Sequence, residues 1–69
     1  MAKATLGNHL KSLRTEAGLT QADLAERVGV SRKTINTVEN GVFTPSATLA
    51  LQLARALGVP VEALFFLQN

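Results

Sequence analysis

Apolar residues recur along this chain at intervals of three and four, and glycines interrupt the recurrence. Leu6, Leu10, Leu13 and Ala17 form the first series, with the spacing of one face of an α-helix. Thr5 is the N-cap this series predicts, while Gly7 and Asn8 weaken its first turn. A second segment opens at Thr20 with Asp23 three residues on, a capping box with Asp in place of Glu. Leu24, Ala25 and Val28 are its inner face. The third opens after Ser31 and turns Ile35 and Val38 inward. The fourth follows Pro45 and Ser46, with Leu49, Leu53, Ala56 and Leu57 as its stripe. The fifth is short, running from Pro60 through Val61, Leu64 and Phe65. Gly18, Gly29, Gly41 and Gly58 fall where the patterns stop, as residues that accept the left-handed conformation closing a helix. No strand alternation is visible. The pattern predicts five short helices in an all-α domain.

The polar side of the third segment is unusual. Arg32, Lys33, Asn36, Thr37 and Asn40 lie opposite Ile35 and Val38, and no acid is among them. Cations at a helix start run against the helix dipole, a placement that makes sense when an anionic partner lies outside. Only Gly29, Val30 and Ser31 separate the second segment from the third. So short a turn forces the two axes to cross steeply. Ala25 is small enough for close approach, and Val30 with Ile35 closes the core between the helices. This is the physical content of a helix-turn-helix.

The segment QADLAERVGVSRKTINTVEN, residues 21–40, closely resembles the helix-turn-helix of the Xre family, the phage Cro- and repressor-like regulators. LRTEAGLTQADLA, VENG, PS and LARALGV follow the order and spacing of such domains, from Leu6 to Phe65. The resemblance implies a lambda-repressor-like DNA-binding domain with its helix-turn-helix at helices two and three. It also implies a third helix in the major groove of double-stranded DNA. Dimers would bind a two-fold-symmetric operator with half-sites about 34 Å apart. Carried over position by position, Arg32, Lys33 and Thr37 fall on base-reading positions, with Asn36 between them. Gln21, Ser31 and Asn40 fall on positions that hold the phosphate backbone. The residue chemistry agrees. Arg32 and Lys33 can donate to guanine O6 and N7, and Thr37 offers a methyl to thymine. Gln21 starts a helix, where free N–H groups favour phosphate. Phosphate contacts set register and base contacts set sequence. The chain departs from the pattern at Val42 and Thr44, where relatives often carry basic residues, and at Pro60, where Ser is common.

Composition narrows the alternatives. Of the 69 residues, 46% are apolar and 17% charged, which suits a core-former and not a disordered tail. Residues 1–69 read as one domain, with a core spanning about 6–65. Zero cysteines exclude disulfides and cysteine-ligated zinc, and His9 alone cannot build a histidine metal site. No metal, cofactor or small-molecule effector is expected. The net charge of +2 permits a polyanionic partner. Glu16, Asp23, Glu26, Glu39 and Glu62 are scattered without a pairing suited to acid–base work. No GxxxxGK[ST] phosphate loop is present, so an enzyme is not expected. Met1–Thr5 carries no apolar leader. Leu49–Leu67 is broken by Gln52, Arg55, Gly58, Pro60 and Glu62, so it does not read as a membrane span. A cytoplasmic protein is expected.

Two further expectations concern structure and assembly. Arg14 and Glu39 match a pair that in the family forms an ion pair beneath the third helix. The run Leu64, Phe65, Phe66, Leu67 holds more apolar bulk than one helical face can bury. Leu64 and Phe65 match core positions, which leaves Phe66 and Leu67 for a contact surface. A symmetric homodimer near the fifth helix follows, with Phe43 or Val42 joining. The expected activity is that of a transcription regulator, in its simplest form a repressor occupying promoter DNA. The alternative is an antitoxin-like or adaptor protein whose apolar C-terminus binds another protein.

Overall fold

The computed structural model describes residues 4–68. Its elements run β1 (Thr5–Asn8), α1 (Leu10–Glu16), α2 (Gln21–Val28), α3 (Arg32–Glu39), α4 (Ala47–Leu57), α5 (Val61–Leu64) and β2 (Phe65–Gln68). The five helices lie where the apolar spacing predicts them, and their ends follow local chemistry. Thr20 Oγ1 accepts from the Asp23 N–H while Asp23 Oδ2 accepts from the Thr20 N–H, a reciprocal capping box. Ser31 and Ser46 cap α3 and α4 by accepting from Thr34 N and Leu49 N. Gly29 closes α2 at φ 75°, where a Cβ would be strained.

The N-terminus departs from expectation. Thr5 does not cap a helix, and Leu6 does not lie in one. Residues 5–8 are extended and pair antiparallel with β2. The cause is twofold. Gly7 and Asn8 are poor helix formers, and Asn8 Oδ1 accepts from the Leu10 N–H at 3.0 Å, which starts α1 four residues later than expected. The other strand comes from the end of α5, where Phe65 turns extended (φ −119°, ψ 144°) instead of continuing the helix. Gly7 faces Phe66 across the pair. A Cβ at Gly7 would overlap the Phe66 ring, so only glycine admits that ring.

Leu10, Leu24, Ile35, Val38, Leu53 and Leu64 are fully buried and bring all five helices into one core, joined by Phe65 from β2. Alternation along the ribbon puts Leu6, Asn8, Phe65 and Leu67 on one face and Thr5, Gly7, Phe66 and Gln68 on the other. Phe65 is buried on the first face. Leu67, two residues on, overhangs the helices and is 76% exposed. Phe66, on the opposite face, lies against the His9 ring with centroids 4.7 Å apart.

Candidate nucleic-acid interface

The site is built on α3. At about 100° per residue, positions 32, 33, 36, 37 and 40 fall within an arc of about 140°. Arg32, Lys33, Asn36 and Asn40 are exposed along it, and Ile35 and Val38 on the far side are buried. The helix is anchored by its apolar side and offers its acid-free side to solvent.

The five polar residues of this arc are not equally available. Arg32, Lys33 and the Asn36 side chain make no side-chain hydrogen bond within the described residues. Thr37 is half-buried, and its Oγ1 donates to Thr34 O at 3.0 Å. Its methyl and lone pairs remain open. Asn40 Nδ2 donates to Asn36 O at 2.9 Å, closing the last turn of α3. Ser31 Oγ serves the N-cap and shares a hydrogen bond with Thr34 Oγ1.

The support beneath α3 is a buried polar cluster. Arg14 Nε lies 2.6 Å from Glu39 Oε2, and the two side chains are only 10% and 3% exposed. Arg14 Nη2 donates to Glu39 Oε1 at 3.3 Å and Nη1 to Leu19 O at 2.8 Å. Gln21 Nε2 also donates to Glu39 Oε1, at 3.0 Å. A carboxylate in the last turn of a helix opposes the helix dipole. Here the guanidinium and the amide offset that cost while tying α3 to α1 and to the start of α2. No buried side-chain nitrogen or oxygen among the described residues lacks a partner.

The resemblance places Gln21 at a phosphate-holding position, and the fold commits one of its amide hydrogens to Glu39. The N–H groups of Gln21 and Ala22 precede the first intrahelical bond of α2. An open recess of about 430 Å³ is lined by both residues together with Thr20 and Arg32. That recess can take an anionic oxygen. On the opposite side of the cluster, Asn8 Nδ2 donates to Val38 O at 3.0 Å. Sequence reasoning treats Asn8 only as a weak point in a helix. Its place, two residues before a Leu-rich helix, is the one signal that its side chain meets the first N–H of α1, beside the N-cap residue His9.

Exposed apolar groups lie on the C-terminal ribbon and on the loop after α3. Leu67, Phe66 and Phe43 are exposed, as is Val42. The N–H groups of Val42 and Phe43 donate to Thr37 O. That carbonyl neighbours the Val38 carbonyl that Asn8 holds, so the loop after α3 and the ribbon both abut the last turn of α3.

A capped support helix, a three-residue turn and a second helix with a basic outward face define a helix-turn-helix DNA-binding domain. The chain belongs to the helix-turn-helix family HTH_3, whose family model matches residues 10–64, within the Xre-like group of Cro- and repressor-related regulators. It is 51% identical over 61 residues to an HTH-type transcriptional regulator of Methanothermobacter thermautotrophicus, covering 87% of this chain and 88% of that one. It is 37% identical to the immunity repressor protein of Bacillus phage phi105, over 87% of this chain and 42% of that one. Its fold is similar to that of the restriction-modification controller protein C.AhdI of Aeromonas hydrophila. The TM-score is 0.75 at 37% identity, covering 78% of this chain and 82% of that one. No helix among the described residues is long and apolar enough to cross a membrane.

Proposed function

We propose that the protein is a repressor that binds double-stranded DNA sequence-specifically as a homodimer, with α3 in the major groove. One observation carries the reading: the outward arc of α3 holds Arg32, Lys33 and Asn36 without an acid, while the helix is fixed from behind by its core residues and by Glu39. Arg32, Lys33, Asn36 and Thr37 are the base-contacting set, with Thr37 acting through its methyl. Gln21, Ser31 and Asn40 face phosphates. Gln21 still has one free amide hydrogen, and Ser31 and Asn40 retain lone pairs or hydrogens beyond their capping bonds. The repressor name of the phage relative and the controller name of the structural neighbour favour regulation by occupancy of promoter DNA. Such a role belongs in the cytoplasm.

Self-association supplies what one subunit lacks. Val42 and Thr44 leave the loop after α3 without cations, so each subunit makes few phosphate contacts and binds weakly alone. Joining two half-site contacts raises the overall affinity without new contacts. Leu67, Phe66 and Phe43 form the proposed interface. Selection of bound sites from random double-stranded DNA tests both parts. A two-fold-symmetric consensus is expected; an asymmetric consensus rejects the dimer, and no consensus rejects sequence-specific binding.

A further inference from the structure

Asn8 makes two hydrogen bonds with the two ends of its amide. Oδ1 accepts from Leu10 N, which starts α1. Nδ2 donates to Val38 O in the last turn of α3, thirty positions away in sequence. Its own backbone is the inner rung of the ribbon, opposite Phe65. One small side chain thus joins the ribbon, the start of α1 and the end of α3.

We propose that Asn8 is a positioning residue: its amide pins the C-terminal turn of α3 to the ribbon and sets the angle at which α3 meets DNA. The proposal rests on the DNA-binding reading of α3. Three observations support it. First, Asn8, just before α1, and Arg14, in its last turn, hold adjacent residues of α3, Val38 through its carbonyl and Glu39 through its carboxylate. Two points of attachment on one turn fix rotation about the helix axis as well as position. Second, Val38 O also accepts from Gly41 N, and Thr37 O accepts from Val42 N and Phe43 N, so the loop closing α3 depends on the turn that Asn8 holds. Third, Leu67 and Phe66 are carried on the ribbon that Asn8 anchors. A second copy seated there would bear on α3 through this amide.

The two bonds of Asn8 can be separated. Asn8→Ser keeps an oxygen for the Leu10 N–H but cannot reach Val38 O, and it adds no charge. Asn8→Asp keeps the acceptor and lacks the donor. Full-length protein of each kind is compared with wild type at a temperature where far-ultraviolet circular dichroism shows all three folded. Amide exchange of residues 40–43 should quicken about fivefold in both variants, the worth of one ordinary hydrogen bond. Amides of α4 should stay unchanged. Affinity for the selected site should fall by up to about fivefold per subunit in Asn8→Ser as well as Asn8→Asp, with a narrowed margin over single-base variants of the site. A side chain serving stability alone would raise exchange across all helices and leave that margin intact. Wild-type exchange at residues 40–43 in Asn8→Ser overturns the proposal, as does quickened exchange with unchanged affinity. A wild-type chain that selects no DNA sequence overturns the DNA reading instead, while the exchange rates still decide whether Asn8 holds α3.

Discussion

Glu39→Gln removes one charge from the cluster under α3 and changes almost nothing in volume. Three donors converge on the Glu39 carboxylate: Arg14 Nε and Nη2, and Gln21 Nε2. A glutamine there presents one oxygen and one NH2. Whichever way the amide turns, its NH2 faces one of those donors. The Arg14 guanidinium, at 10% side-chain exposure, keeps hydrogen bonds to the glutamine oxygen and the Leu19 carbonyl but loses its counter-charge. Removing one member of a buried pair costs about 3–5 kcal/mol, because the other charge is stranded. A chain of this length is stable by about 3–10 kcal/mol in total, so the substitution removes a large share. For so small a domain each kcal/mol lowers Tm by about 4–8 °C, which puts the expected drop at about 12 °C or more. The chain has no Trp or Tyr, so the melt is followed by far-ultraviolet circular dichroism. Replacing both partners, as Arg14→Met with Glu39→Met, strands no charge and should melt above Glu39→Gln alone. A loss below about 1 kcal/mol is what an exposed pair would give. That result, or a double variant no better than the single one, would refute the reasoning.

Lys33→Ala should relax preference at one base pair of the selected site, at a cost of about 1–3 kcal/mol. A uniform loss on all sequences would mean that Lys33 touches only phosphate. Leu67→Glu should shift the chain to monomer in sedimentation while leaving its helical content intact; wild-type association would remove Leu67 from the interface. Gly7→Ala forces a methyl into the Phe66 ring and should cost about 1–3 kcal/mol of overpacking. Adding Phe66→Ala should recover most of that loss, and an unchanged melt for Gly7→Ala alone would contradict the ribbon packing. The Thr20 backbone N–H, followed by its hydroxyl, holds the Asp23 carboxyl below its ordinary pKa. The capping contribution is therefore full above the ordinary aspartate value and disappears as pH falls through the lowered one. Melts of wild type and Asp23→Asn should converge as the solution is acidified through that window, and a constant gap would refute the assignment.

What could be read from the sequence follows from how far each determinant reaches. The ends of α2, α3 and α4 are set by residues within four positions of them. Thr20, Ser31 and Ser46 supply acceptors, and Gly29 and Gly58 supply positive φ. Such ends are legible in one dimension, and so is the outward placement of Arg32, Lys33 and Asn36. The ribbon is not, because Thr5 bonds to Gln68 across 63 positions and four-residue strands are too short to show alternation. The spacing of Leu6 and Leu10 imitates a helix there, and Gly7 is intelligible only once Phe66 is known to lie on it. The same limit applies inside the site. Residue type is local, but availability is tertiary. Glu39 claims Gln21, and backbone carbonyls of α3 claim Asn40 and Thr37. Nothing in the spacing of positions 14, 21 and 39 announces that the anchor of α3 and the polar group at the start of α2 share one carboxylate. That sharing has a consequence for binding. With one Nε2 hydrogen held by Glu39, the planar amide fixes the direction of the second, so on the proposed DNA-binding reading a phosphate at the start of α2 would meet a fixed donor. Ordering that side chain then costs little at the moment of contact.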